Sequence, residues 1–177
     1  MSSVAPESAL LIRVPPAEPA VGLYRSRLDS SAPLGVPAHV TVLYPFLPPP
    51  VLDADVRRTL SRLFASVARF PFVLDRTEWF GEEVLWLGPS EPGVFRALTD
   101  LAFAAFPSCP PYGGQFTDVV PHLTVGDTGS LSDLRAAEEA VRPHLPISGE
   151  ATEVVLMTSA PGGGGGLWTT MAAFPLG

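Results

Sequence analysis

Along this chain, apolar residues alternate with polar ones in some stretches and return every third or fourth position in others. The first pattern predicts strands and the second helices. SALLIRVP, Ser8 to Pro15, reads as a first strand. Glu18 to Leu28 reads as a short helix, with Val21, Tyr24, Arg25 and Leu28 at helical spacing. The loop SSAPLGVP follows, then PAHVTVLYPF (37–46), a run of strand formers ended by the prolines at 48–50. Asp53 opens a helix predicted to reach about Phe70, with Val56, Leu60, Leu63, Phe64 and Val67 as its apolar stripe. FPFVLDRTEWF and EEVLWLGPS read as two strands with a turn near Gly81. Pro92 to Phe106 is a second long helix, and a Pro/Gly-rich loop leads from it to a strand at PHLTVGD (121–127). Leu131 to Leu145 reads as a third. Ala151 to Ser159 and Leu167 to Phe174 read as closing strands joined by PGGGGG.

Two strands in this order share a feature that packing alone does not ask for. His39 and Thr41 interrupt one apolar run, and His122 and Thr124 interrupt another. Residues two apart on a strand point to the same face, so each strand offers an imidazole beside a hydroxyl. The two motifs lie about half the chain apart, and the elements after each follow a similar order. A duplicated, two-lobed chain is the expectation. The competing reading is a pair of core histidines, each satisfied by a neighbouring backbone group.

Composition narrows the chemistry. The 177 residues are 46% hydrophobic with a net charge of −7, enough to bury a core. They are too acidic to coat long nucleic acid through bulk phosphate neutralisation. All 11 basic residues are Arg. No apolar run is long enough for a membrane span; Asp100 breaks the longest, LTDLAFAAF. Cys109 is the only cysteine and the first residues lack a basic leader, so a cytoplasmic location is expected. The chain is expected to form one domain (1–177), and a monomer.

If both His-x-Thr strands line one cleft, two histidines that titrate near neutrality face each other. A neutral one can take a proton from an attacking oxygen while a charged one gives a proton to a leaving oxygen. That division suits in-line displacement at phosphorus, with Thr hydroxyls donating to the non-bridging oxygens. It needs neither metal nor cofactor, and no third ligand with convincing spacing joins His39 and His122.

HVTVLYPF and PHLTVG resemble the paired His-x-Thr/Ser motifs of the 2H phosphoesterases, the 2′-5′ RNA ligase-like superfamily, and the element order fits from Ser8 to Phe174. The resemblance implies an α+β fold: bilobal and pseudo-two-fold, with two antiparallel sheets around a central cleft and helices outside. It implies activity on 2′,3′-cyclic or 2′-5′ phosphodiester bonds of small nucleotides or RNA ends, with no DNA partner and no membrane. His39 and His122 match the acid/base pair and Thr41 and Thr124 the phosphate-binding hydroxyls. The alternatives are 2′-5′ RNA ligation and a non-catalytic module that binds a nucleotide or RNA end. Members often carry a basic residue shortly after the second motif; here Gly126 and Asp127 follow. Counting along the strand puts Asp127 on the face opposite His122 and Thr124.

Tyr44 and Phe46, next to the first motif, are candidates for stacking on a base, with core packing as the competing role. Trp79, Trp86 and Trp168 belong to the core or the cleft wall. Arg25 and Arg27 are expected on a solvated helix face. PGGGGG lacks the Lys and helix of a phosphate-binding loop and reads as a connection. Cys109 is expected to be a buried thiol, His144 to lie near a helix C-terminus, and Glu82 and Glu83 to be solvated.

Overall fold

A computed structural model describes residues 5–160 and 166–177. The loop PGGGGG lies almost wholly outside the described residues. Eight strands form two antiparallel sheets. The first contains β1 (Ser8–Arg13), β2 (His39–Leu43), β7 (Glu153–Ser159) and β8 (Trp168–Pro175) in the order β2-β1-β7-β8. The second contains β3 (Phe70–Phe80), β4 (Val84–Pro89), β5 (Leu123–Gly126) and β6 (Ile147–Ala151) in the order β5-β4-β3-β6. Each motif strand is therefore the edge of its sheet, and β2 lies beside β5. The fold is α+β, with the two antiparallel sheets that the family resemblance implies.

Four helices cover the sheets: α1 (Glu18–Leu28), α2 (Ala54–Ala65), α3 (Gly93–Ala105) and α4 (Leu131–Val141). Helix α1 follows a strand of the first sheet yet packs on β5 of the second. Helix α3 follows a strand of the second sheet yet packs on β2 of the first. This exchange holds the two edge strands close together. Burial alternates through both motifs and breaks only at the strand ends, Leu43 and Gly126: Val40, Val42, Leu123 and Val125 are buried, while His39, Thr41, His122 and Thr124 are half-buried on the other side. One apolar cluster joins both sheets through Leu10, Val42, Leu87 and Leu123. A smaller one on the other face of the first sheet contains Ala9, Leu11, Val36, Val155 and Met157, with Tyr44 and Trp168 against it.

The boundaries differ from expectation in three places. Helix α2, capped by the Asp53 carboxylate accepting from the Asp55 and Val56 amides at 2.9 Å, ends at Ala65 and not near Phe70. Pro71 favours extended backbone at Phe70, which begins β3. Helix α4 ends at Val141 and passes into a 3-10 turn at Arg142–His144, where Pro143 lacks an amide to donate. The strand predicted from Ala151 has a forerunner, β6, separated from β7 by Thr152, where the chain changes sheets. Gly149 gives β6 little strand character, but a Cβ there would lie 2.5 Å from the Phe72 ring. The glycine is what lets the tip of the ring reach the strand.

Candidate active site

Between the edge strands lies a cleft of about 510 Å³ whose walls include His39, Thr41, His122 and Thr124. A hollow of about 610 Å³ lies elsewhere, against Arg13, Glu18, Glu150 and Glu153, and none of the motif residues lines it.

The backbone fixes both rings by one device. His39 Nδ1 donates to the Pro37 carbonyl at 2.8 Å, and His122 Nδ1 donates to the Val120 carbonyl at 2.7 Å. A carbonyl only accepts, so Nδ1 carries hydrogen in both rings. Nε2 is left as the working nitrogen, a base when bare and an acid when protonated. Neither Nε2 has a hydrogen-bond partner among the described residues. Burial pushes the His39 imidazole down to about 4, against the opposing pull of its Pro37 bond, and the Arg25 and His122 charges lower it further while Asp29 raises it. Burial also lowers His122, with the Val120 bond opposing. Both rings are therefore neutral at pH 7 in the empty cleft.

Gly126 ends β5 where a Cβ would meet Leu134 Cδ2 at 2.6 Å and Leu28 Cβ at 2.9 Å, so the glycine lets α1 and α4 close over the second motif. Tyr44 and Trp168 stand together in the cleft wall, centroids 6.4 Å apart, and the Tyr44 hydroxyl donates to Glu7 at 3.0 Å. Burial first, and then this bond, push the Tyr44 phenol up to about 12. Phe46, the second stacking candidate, is absent from the cleft: it is 6% exposed and meets Phe106 edge-on in the core. The strand stops at Leu43 and Phe46 turns inward.

Two charged residues also depart from expectation. Arg25 is not on a solvated face. It is 2% exposed, with Nε 2.9 Å from Asp29 and Nη2 donating to the Val36 carbonyl at 3.1 Å. Arg27 is exposed. Asp127 does not point away from the cleft but lines it, accepting from the Ser30 amide at 2.7 Å and the Ser30 hydroxyl at 2.6 Å. Strand β5 ends at Gly126, so counting by twos fails one residue later. Trp86 and Phe80 pack against His122, and Trp79 stacks on Arg135. Cys109 is buried, while His144, Glu82 and Glu83 are exposed.

Tyr112 was not among the predicted site residues. It lines the cleft from the loop after α3, with φ 51° and ψ 35°, and its amide donates to the Tyr44 carbonyl at 2.6 Å. A non-glycine residue in the left-handed region is an uncommon, costly placement. The only sequence signal was a lone aromatic among small residues in CPPYGG. Among the described residues no group of three or more His, Cys, Asp or Glu side chains is arranged to hold a metal, and no helix is long and apolar enough to cross a membrane.

Two edge strands presenting His-x-Thr into one cleft define the 2H class of phosphoesterase. The chain belongs to the 2′-5′ RNA ligase superfamily, whose family model matches residues 14–163. No curated protein matches the sequence. Among solved structures, TT0787 of Thermus thermophilus is similar with a TM-score of 0.64 and 17% identity, over 96% of this chain and 97% of that one. E. coli LigT complexed with 3′-AMP has a TM-score of 0.60 and 19% identity over 96% and 97% of the two chains. LigT complexed with NADP+ has a TM-score of 0.56 and 21% identity over 98% and 99%. At these identities the likeness is one of fold.

Proposed function

We propose that the protein is a phosphodiesterase that hydrolyses 2′,3′-cyclic phosphates of small nucleotides or RNA ends, with its two histidines as the acid/base pair and no metal in the reaction. The observation that carries this reading is the shared clasp: both Nδ1 atoms are held by carbonyls two residues back, so both Nε2 atoms are free in one cleft. The neutral ring takes a proton from water as the water oxygen bonds to phosphorus. The protonated ring gives its proton to the departing ribose oxygen as the P–O bond breaks, leaving a phosphate monoester. Thr41 and Thr124 donate to the non-bridging oxygens. An anion between the rings favours the protonated form of one of them, supplying the acid that the empty cleft lacks. Tyr44 and Trp168 form the wall against which the base or ribose rests. The same reading treats the two lobes as one domain, since neither holds a complete site.

LigT in complex with 3′-AMP and with ATP is nucleotide-bound in the same fold, which supports a nucleotide ligand here. The test is turnover of a nucleoside 2′,3′-cyclic phosphate with EDTA present. His39→Ala and His122→Ala should each lower kcat by about 10²-fold or more. A metal requirement, or activity that survives the double substitution, overturns the mechanism. Saturable binding without turnover replaces the enzyme with a binding module, and action only on joined RNA ends replaces hydrolysis with ligation.

A further inference from the structure

We propose that the cleft accepts a substrate bearing a single phosphate, a nucleoside cyclic phosphate with a free 5′-hydroxyl, and that Asp127 and Glu7 reject ends and chains carrying more. This rests on the phosphoesterase reading and narrows its substrate.

The argument begins with where the cations are. The chain has 11 arginines and no lysine, and residues 1–4 and 161–165 contain neither. None of the arginines lines the cleft. Arg25 is sealed beneath the surface and held by Asp29 and the Val36 carbonyl. Arg13 pairs with Glu153, Arg76 with Asp75 and Glu78, and Arg135 and Arg142 with Glu138. Arg96 donates to the Val119 carbonyl. What the cleft offers an anion is neutral hydroxyls, those of Thr41, Thr124 and Tyr112 among them, and one protonatable imidazole pair, which suit the one charge of a cyclic phosphodiester.

The remaining charges are negative. Asp29 is neutralised by Arg25 at 2.8 Å. Asp127 and Glu7 have no ion-pair partner among the described residues. Their neighbours are neutral donors, the Ser30 amide and hydroxyl for Asp127 and the Tyr44 hydroxyl for Glu7. These bonds hold the carboxylates at the cleft without cancelling their charge. A 5′-phosphate adds about −1.5 to −2 charges at neutral pH, and an RNA chain adds one per linkage. Either would meet like charge at a cleft that no arginine lines.

The experiment compares kcat/KM for adenosine 2′,3′-cyclic phosphate, the same compound with a 5′-phosphate, and a trinucleotide ending in the cyclic phosphate. The first should be preferred by about tenfold or more at low salt, and added salt should shrink the preference. Asp127→Asn, which keeps an acceptor for the Ser30 amide, and Glu7→Gln should each shrink it severalfold. Equal or faster turnover of the phosphorylated substrates overturns the inference, as does a preference unmoved by salt and by both substitutions. Failure to turn over any of the three sinks the catalytic reading instead. Calorimetric titration of adenosine 3′-monophosphate against adenosine 3′,5′-bisphosphate then reads the same discrimination without chemistry. Tighter binding of the monophosphate supports the inference, and equal or weaker binding overturns it.

Discussion

The two histidine strands present their rings to the cleft by the same backbone bond, yet the surroundings of those rings are unlike. Near His39 stands a buried ion pair, Arg25 with Asp29, whose guanidinium lowers the ring's affinity for a proton and whose carboxylate raises it. Beside His122 stand two aromatic rings, Phe80 with its centroid at 5.0 Å and perpendicular, and Trp86 at 5.8 Å. No charged side chain is among the causes that shift His122. The same backbone bond orients both rings and burial lowers both, while the neighbours supplied by α1 on one side and by β3 and β4 on the other differ. A guanidinium repels an imidazolium, whereas the uncharged rings beside His122 bring no like charge to oppose one. On the proposed mechanism this makes His39 the candidate base and His122 the candidate acid.

The largest effect that can break this comparison is chemical. An ester with a good leaving group and no neighbouring 2′-hydroxyl, such as a 2′-deoxynucleoside 3′-nitrophenyl phosphate, leaves water as the nucleophile and needs little help from an acid. His122→Ala should lose about 10²-fold or more on the cyclic phosphate but recover most of that loss on the activated ester. His39→Ala should stay impaired on both, because the water still needs a base. The reverse pattern exchanges the roles. Equal loss of both variants on both substrates means the unlike surroundings do not divide the labour.

Next in size is the ion pair itself. Arg25→Met leaves Asp29 buried and unpaired, a change that should destabilise the protein by about 3–5 kcal/mol in a denaturant titration. It should also act on His39 with a definite sign. The guanidinium that lowers the ring is gone and the carboxylate that raises it remains, so the acidic limb of the kcat/KM profile should move to higher pH. A stability loss with an unmoved limb would make the pair scaffolding only. His122 should not respond.

The motif strands and their alternation were legible in the sequence because a strand's period of two is strict while the strand lasts. Asp127 shows the limit: the count was sound up to Gly126, and Asp127 lies past the strand's end, where Ser30 from the end of α1 holds its carboxylate. Arg25 fell on the predicted stripe with Val21 and Leu28, but a charged side chain was read as solvated; what buries it is the Asp29 carboxylate and the Val36 carbonyl from the turn after α1, which periodicity does not report. Phe46 and Tyr44 looked alike as aromatics after a motif, and only the end of β2 at Leu43 separates core from cleft. Tyr112 was hidden in a loop without periodicity. Strand β6 was hidden by Gly149, whose role is to receive Phe72 from another strand. What was missed was long-range pairing, and what was found was local period and residue chemistry.

The smallest effect is thermodynamic and reads the His39 surroundings without any substrate. His39 is lowered to about 4 in the folded protein against 6.5 as its ordinary value. Between those two pH values the unfolded chain holds a proton on this ring and the native protein does not, so stability rises with pH across that window. Read downward, stability is intact above about pH 6.5, falls as the pH drops toward 4, and loses nothing more from this group below that. The linkage amounts to ~3 kcal/mol at most. Carboxylates also titrate near the lower end, so the measurement is the difference between wild type and His39→Gln. The variant has no ring to protonate and should keep more of its stability as the pH falls from 6.5 to 4. His122→Gln should show the same sign, because burial lowers that ring too. If the His39 variant follows wild type through the whole window, the ring is as open to water as in the unfolded chain, and the contrast between the two sites loses its electrostatic basis.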